Sequence, residues 1–489
     1  MTPTEISRSS TLAPISPSPW LPLGRTWPRC GAEDGCTERA CIPYPACLAH
    51  LTPDELERML AGLNPGADID LRGSTVPERV FAALLKAVTG PDKHPHLGRS
   101  RFDGAVLPAG ASLSGVCFEG DCSFDGARFD GGVSFYDARF LGHVSFRGAR
   151  FAGNASFHGA RFQRHGSFDE AVFACDALFG ETVWRADASF SRTVFVGAVA
   201  FDRAHFGRDA VLEAAQFGGA ASFRRVRVAR HARLDRTRFR QDVWMGPLAT
   251  RGRLSLTYAK AHRGLRVDAV ARQVDANHVV AHGPAEFRLR HADLDLEDAY
   301  FHAGVTVRSL SRRFQCLTED DFDGRHGPVR LLSARGLSAP KLELADVDLS
   351  RCKLLGLEHP EGLRITGDCT FATLPARRRV RGLRGRQSPR DRQGCAVLVE
   401  ELAGSYGGLA VLYRHLAAAA AEADPDLARD LRYRSFEVRR RADPRTVRRW
   451  LLHLSWLMCG YGLRTGRLTT CMAVLVVLLA SGAAYAARP

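Results

Sequence analysis

The sequence predicts a mainly-β solenoid with helical segments at both ends, and three observations carry that prediction. Bulky apolar residues recur every eleven positions from Phe118 to Phe239: Phe118, Phe129, Phe140, Phe151, Phe162, Phe173, Trp184, Phe195, Phe206, Phe217, Val228, Phe239. A second series falls between them, Phe124, Phe135, Phe146, Phe157, Phe168, Phe179, Phe190, Phe201, Leu212, Phe223 and Leu234, so that the steps alternate six and five without a slip. A small residue stands two positions before nearly every member, as at Ala127, Val133, Ala138, Ala149 and Ala160. Gly, Ser, Asp, Arg and His occupy the gaps, giving the rule F-x-G-x-A-S-F-x-x-A-R.

Steps of five and six cannot keep one face of a helix apolar, since that needs spacings of three and four. They suit very short strands with a bend at each corner. Side chains two apart on a strand point the same way, so each small and large pair turns inward while the residues between face water. Stacked coils then satisfy each other's backbone groups at roughly 4.8 Å spacing. Self-similarity at a fixed period marks a solenoid, in which each unit buries its core only against its neighbours.

This small-x-large-x-x unit resembles the pentapeptide-repeat proteins in their Phe-centred form. The resemblance implies a right-handed, four-sided β-helix in which two eleven-residue units make one coil of about 22 residues. Some members of that family are acidic rods that imitate DNA. Arg224, Arg225, Arg227, Arg230, Arg233, Arg236 and Arg238 crowd this rod instead, so that role is not carried over.

The chain of 489 residues carries a net charge of +15, almost all of it from Arg. Such a surface favours anionic partners, lipid or nucleic acid. Thirteen Cys form no even framework, which points to reduced thiols rather than a disulfide scaffold. No basic start followed by an apolar run opens the chain, and residues 1–29 read as a disordered Ser/Thr/Pro-rich tail.

Residues 30–100 read as a Cys/His element with capping helices. Cys30, Cys36, Cys41 and Cys47 precede His50. Thiolates and an imidazole at such spacing suit tetrahedral Zn²⁺; the other readings are buried inert thiols and a redox role. The stretch also resembles the "WPxC…CLAHL" element of actinobacterial pentapeptide-repeat membrane proteins. Because the position of Cys41 tends not to be Cys in them, the resemblance selects Cys30, Cys36, Cys47 and His50 as the structural zinc ligands. Thr52-Pro53-Asp54-Glu55 starts a helix, and a second runs over about 77–88. Between them Ala67, Ile69 and Leu71 alternate, as an isolated first coil or a lid.

The regular solenoid is expected over 101–240 and less regular coils over 241–373, with a loop at about 311–328 holding Glu319, Asp320, Asp321 and Asp323 as a solvated turn. Residues 374–395 form a basic linker. Residues 396–450 read as helices, and here Tyr413, Arg414, Leu416, Glu437, Arg439, Arg440 and 460–464 resemble the membrane-proximal "YRxL", "ExxRR" and "GYGLR" elements of the same actinobacterial proteins. Glu437 reads as a salt-bridge residue beside its Arg cluster. In 451–489, Leu451 to Leu463 is too short to span a bilayer and suits an interfacial helix. Leu468 to Ala487 is 20 residues without a charge, about 30 Å as a helix, enough for one transmembrane span. Arg445, Arg448, Arg449, Arg464 and Arg467 precede it and only Arg488 follows, which keeps the bulk of the chain cytoplasmic.

No Walker A loop, H-E-x-x-H or G-x-S-x-G occurs, so nothing assigns a catalytic or nucleotide-binding residue. The expected function is a non-enzymatic, membrane-anchored scaffold with a protein partner, and the only cofactor indicated is structural zinc. The first alternative is a metal- or thiol-dependent membrane-associated oxidoreductase. The second is nucleic-acid binding through the Arg-rich 224–240 face, against which stands the absence of interleaved aromatics there.

Overall fold

A computed structural model describes residues 28–32, 36, 38–41, 43–315, 317, 327–373, 396–404, 406–442, 446–459 and 461. The tail up to residue 27, the acidic residues Glu319, Asp320, Asp321 and Asp323, the linker 374–395 and the apolar stretch 468–487 lie outside the described residues.

The beat of six and five produces strands only two residues long. One coil comprises Ala155–Ser156, Arg161–Phe162, Gly166–Ser167 and Val172–Phe173. Each strand pairs in parallel with its counterpart one full coil further along, as Val144 does with Gly166 and Arg161 with Val183. A single column of paired residues, Ile69, Ser100, Cys122, Val144, Gly166, Ala188, Ala210, Ala232, Leu254, Val274, Leu294 and Leu331, threads twelve successive coils.

Because nearly every large inward position keeps a ring, the rings form four ladders. Phe118 stacks on Phe140 at 4.8 Å, Phe124 on Phe146 at 4.7 Å, Phe129 on Phe151 at 4.6 Å and Phe135 on Phe157 at 4.7 Å, all within 5° of parallel. These are the spacings that neighbouring strands impose. Neighbouring ladders meet edge to face, as Phe135 meets Phe146 at 5.4 Å and 85°. Each such pair contributes about 0.5–1.5 kcal/mol beyond the area it buries.

Strands this short leave corner N–H groups without a strand partner, and buried amides must find one. The corner carboxylates supply it. Asp125, Asp169, Asp202 and Asp235 each accept the hydroxyl of Ser145, Ser189, Ser222 or Ser255 in the next coil. The same oxygens accept the backbone N–H of Arg147 (3.0 Å), Ser191 (2.8 Å), Arg224 (3.2 Å) and Thr257 (3.1 Å). At another corner Asp176 and Asp242 accept from Ala198 (2.9 Å) and Gly264 (2.7 Å). The polar residues of the repeat are therefore more than a water-facing surface.

The region 241–373, expected to be irregular, holds a second strict register over much of its length. From the register shift between Met245 and Leu248 the coil shortens: Leu265 pairs with Ala285, Gln273 with Asp293 and Lys260 with Val280, each partner two positions nearer than in the wider coils. Strand Val243–Thr250 pairs with both Ala221–Ser222 and Arg227–Val228. It thus runs straight through what was a corner, and the following coil has three strands, Leu265–Val270, Gln273–Asp275 and Val280–Ala281, in place of four. The register then jumps once, from Val305 to Leu342, across the expected loop, and closes with Leu342 against Leu363.

Of the two readings of Ala67 to Leu71, a first coil and a lid, the structure shows the coil, joined to the stack rather than isolated. Ala67–Asp70 pairs in parallel with His96–Arg101, inside the segment read as cap. Helix α1, Pro53–Ala61, starts at a capping box of Thr52 and Glu55. Helix α2, Glu78–Ala87, buries Val80, Phe81 and Leu84. At the far end come α3 (Val399–Leu402), α4 (Leu409–Ala419), α5 (Pro425–Ala442) and α6 (Thr446–Cys459). Leu409, Leu412 and Leu416 of α4 join the core of the last coils. Helix α6 begins at Thr446, so the expected boundary at 450 falls inside a helix.

Candidate metal centre

The N-terminal element is a short hairpin followed by a turn. Arg29 bridges Arg39, and Cys30 N–H donates to the Glu38 carbonyl at 2.8 Å. The hairpin is fixed to the first coils: Arg39 donates to Asp70 Oδ1 and to the Arg72 carbonyl, both at 2.9 Å, and Glu38 accepts from Thr75 N (2.9 Å) and Oγ1 (2.8 Å). Burial works against ionisation of Asp70, yet Arg72 and Arg39 hold its carboxyl well below the usual range.

Cys47 closes a turn whose carbonyl accepts from His50 N–H at 2.9 Å. That turn aims both side chains back at the hairpin. His50 Nδ1 lies 3.4 Å from Cys47 Sγ and 3.5 Å from Cys30 Sγ, while Cys47 N–H donates to Cys30 Sγ at 3.2 Å. The structure brings together one ligand atom from each of Cys30, Cys36, Cys47 and His50, all within 4.8 Å of one another. Cys41 stands apart; burial pushes its thiol up to about 11.

The two inner thiols differ. The Ala32 backbone N–H, then His50, bring Cys30 down to about 6, whereas burial raises Cys47. Three sulfurs and one imidazole nitrogen, two of the thiols buried, form a donor set that fits a closed tetrahedral Zn²⁺ site. Bound there, the ion would tie the hairpin to the turn and supply folding energy.

Sequence reading missed a second group. His96 Nδ1 lies 2.9 Å from Glu119 and its Nε2 2.9 Å from Asp92, with Cys117 close by. Glu119 first, then Asp92, raise the pKa of His96. Carboxylates at both nitrogens favour its protonated form and join successive coils through it. The signal in the sequence is a contact between His96 and Glu119 one coil apart, legible only once the coil length is known.

At the opposite end Glu400 accepts the free N–H groups of Leu354 (2.5 Å) and Leu355 (2.7 Å) and so caps the last coil. Buried Glu401 pairs with Arg434 and accepts from Tyr413 Oη at 2.7 Å. Glu437 pairs with Arg440 and Arg441, and accepts from Tyr461 Oη at 3.2 Å. With its oxygens held this way, Glu437 is a structural ion-pair residue.

The Arg-rich face does have an aromatic neighbour, contrary to expectation: Trp244, from the following coil. Arg224 and Arg266, from the coils on either side, lie 4.6 and 5.0 Å from its ring, and its Nε1 donates to Asp268 at 3.1 Å. Guanidiniums already occupy the ring where a base would stack.

Among the described residues no helix is long and apolar enough to cross a membrane; the expected span at 468–487 lies outside them. A family model described as Pentapeptide repeats (9 copies) matches residues 124–172 and 201–246. Both segments lie in the Phe-rich part of the chain, and the second ends at Gly246, where the coil shortens. Comparison with curated proteins and with solved structures gives no match.

Proposed function

The chain is a pentapeptide-repeat protein, and from that premise we propose a non-enzymatic scaffold, held at a membrane by its C-terminal end, that presents the flat sides of its solenoid to a protein partner in the cytoplasm. Coils stacked through strands, rings and corner carboxylates form a stiff support with long faces, which suits binding.

The observation that carries the membrane reading is the outer face of α6. Val447, Trp450, Leu451 and Leu454 are 72, 75, 61 and 53% exposed. Their spacing of three, four and seven places them on one side of the helix. Trp456 on another side donates to Tyr433 Oη at 3.0 Å, and His453 accepts from Arg440 at 3.0 Å, so α6 is fastened to α5 while its apolar stripe faces outward. An apolar stripe with Trp beside several Arg suits the lipid headgroup boundary, and the uncharged stretch 468–487 follows after residues 460–467, which include Arg464 and Arg467. The zinc site at Cys30, Cys36, Cys47 and His50 belongs to this reading as the clamp of the N-terminal cap.

Membrane fractionation tests the proposal. The full-length chain is expected to pellet with membranes and to resist carbonate, and removal of 468–489 is expected to leave peripheral binding that Trp450→Glu with Leu451→Glu abolishes. Recovery of the full-length chain in the soluble fraction, unchanged by the deletion, would refute the anchor. Elemental analysis of the purified protein tests the clamp: one zinc per chain is expected, lost in Cys47→Ser.

A further inference from the structure

The strand register near the start of the stack sets three donor groups of different chemistry side by side. His96 pairs with Cys117 and Leu97 with Phe118, in parallel. Leu97 and Phe118 are fully buried, so His96, Cys117 and Glu119, on the alternate positions, turn outward. Glu119 N–H donates to the Leu97 carbonyl at 2.7 Å, which carries the register past the strand end. One ligand atom from each of the three lies within 4.8 Å of the others, and His96 Nδ1 is 2.9 Å from Glu119 Oε1. A turn closed by Gly90 N–H on the His94 carbonyl (2.9 Å) and Lys93 N–H on the Gly90 carbonyl (3.0 Å) brings Asp92 over the far side of the ring. Its Oδ1 and Oδ2 stand 2.9 and 3.0 Å from His96 Nε2. The His96 and Glu119 side chains are 22 and 47% exposed and Cys117 is partly buried, so the group opens to solvent on one side.

We propose that His96 Nδ1, Cys117 Sγ and the Glu119 carboxylate hold a second zinc ion, in an open site of three protein ligands and water built across two neighbouring coils. Nitrogen, thiolate and carboxylate bind Zn²⁺ at about 2.0–2.3 Å, which puts the ligand atoms of a tetrahedral ion roughly 3.4–3.6 Å apart. The 2.9 and 4.8 Å spans found here bracket that spacing, and rotations of partly exposed side chains close the difference. Asp92 supplies what a ligating imidazole needs behind it: a carboxylate that accepts the Nε2 proton, orients the ring and leaves the Nδ1 lone pair to the metal. A thiolate beside an imidazole selects Zn²⁺ over Mg²⁺ and Ca²⁺, which prefer oxygen ligands. On binding, the Cys117 thiol and His96 Nδ1 each release a proton to solvent, and the ion takes the place of the proton between His96 and Glu119 in the metal-free protein. The site shares no residue with the N-terminal centre. With one thiolate against three and a position left to water, it holds its ion more weakly than that centre does.

The test is titration of the untagged, full-length protein, carrying its N-terminal zinc, with Co²⁺ as the spectroscopic probe. One equivalent is expected, with the near-ultraviolet charge-transfer band of a single thiolate on cobalt and the visible bands of tetrahedral coordination. Elemental analysis before and after keeps the N-terminal zinc in the count. Cys117→Ser is expected to abolish the charge-transfer band and to weaken Co²⁺ at least about tenfold, since even an orienting partner is worth about 10–100-fold in metal affinity. Asp92→Ala is expected to weaken Co²⁺ within that range while keeping the band, the mark of a positioning residue. Unaltered circular dichroism in both variants separates loss of a ligand from loss of the fold. No stoichiometric Co²⁺, or a charge-transfer band undiminished in Cys117→Ser, would overturn the site and leave His96 an ion-pair residue alone.

Discussion

The two halves of the solenoid solve one packing problem with different perimeters. Up to Phe239 nearly every large inward position is Phe, and the coil needs two full repeat units and four strands to enclose four rings. Beyond it the same columns pass from Phe239 to Ala261 and Ala281, and from Leu234 to Leu256 and Ala276. A smaller filling needs a smaller ring of backbone, and the chain complies by shortening each coil and dropping one corner. Interiors tolerate little empty space, so side-chain volume sets the coil length. At the seam the match is incomplete: a cavity of about 20 Å³ remains among Phe201, Phe223, Leu212, Val228, Leu234 and Met245.

The largest expected effect comes from breaking a ladder in the wider half. Phe146 is fully buried, stacked between Phe124 and Phe168. Phe146→Ala is expected to destabilise by about 3–5 kcal/mol, against about 1.5–2.5 kcal/mol for trimming Val267→Ala in the narrower half, where roughly two methyl groups are lost. Urea unfolding followed by fluorescence of Trp184, which is buried between Phe162 and Phe206, reads the first. Equal losses at both sites would mean that the rings do not set the wider coil.

The seam itself offers the next effect. Gly246 has φ of 121°, and a Cβ there would meet the Asp268 carbonyl oxygen at 2.0 Å. Gly246→Ala therefore forces two coils apart where the corner is straightened, and a loss of about 2–3 kcal/mol is expected from strain and displaced packing. Hydrogen exchange should localise the loss to strands 243–250 and 265–270. Uniform protection would show that the seam is no boundary.

Ring ladders do not respond to pH, but the entry to the wider half does, because charge joins its first coils. His96 has its pKa raised by Glu119 and Asp92. A raised folded pKa gives stability that is complete below the unfolded value of about 6.5 and disappears as pH climbs through the folded value. The partners are half exposed, so the effect is expected to stay below about 1 kcal/mol. Exchange of the 90–101 amides should quicken with rising pH in the native protein beyond the intrinsic rate, and His96→Gln should remove that excess.

How much of this was legible depended on whether a residue's partner lies within its own repeat. The rings were legible because each eleven-residue unit repeats the same inward choice, from Phe118 to Phe239. The second register was not, since Leu265, Ala285 and Val305 share a column but not a size, and their step is no multiple of eleven. The carboxylate ladder was hidden for a related reason: Asp125 serves Ser145 and Arg147, a full coil away. At the candidate centre, Cys47-x-x-His50 was visible as local spacing. The attachment of Cys30's hairpin through Arg39 to Asp70 was not, because it needs the first coil to exist.

The finest test concerns the corner that both halves share. A left-handed residue recurs every eleven positions: Gly126, Asp137, Gly148, Gly159, then Glu170, Glu181, Arg192, Arg203, Ala214, Arg225 and Arg236. It persists in the shorter coils at Tyr258, His278 and Asp298. Left-handed backbone costs an ordinary L-residue about 1–2 kcal/mol, and Gly returns part of that gain through the greater freedom of its unfolded chain. Several of the non-glycine corners have side-chain partners to offset the strain, as Arg203 has in Glu181 at 2.7 Å. Ala214, with φ of 57°, has no polar group to do so. Ala214→Gly is therefore expected to stabilise the wider half by about 0.5–1 kcal/mol, while Arg203→Gly, which also loses an ion pair, should gain less. A destabilised Ala214→Gly would mean that the corner is held by the Cβ contacts of its neighbours rather than by backbone freedom, and the shared corner of the two halves would then need another cause.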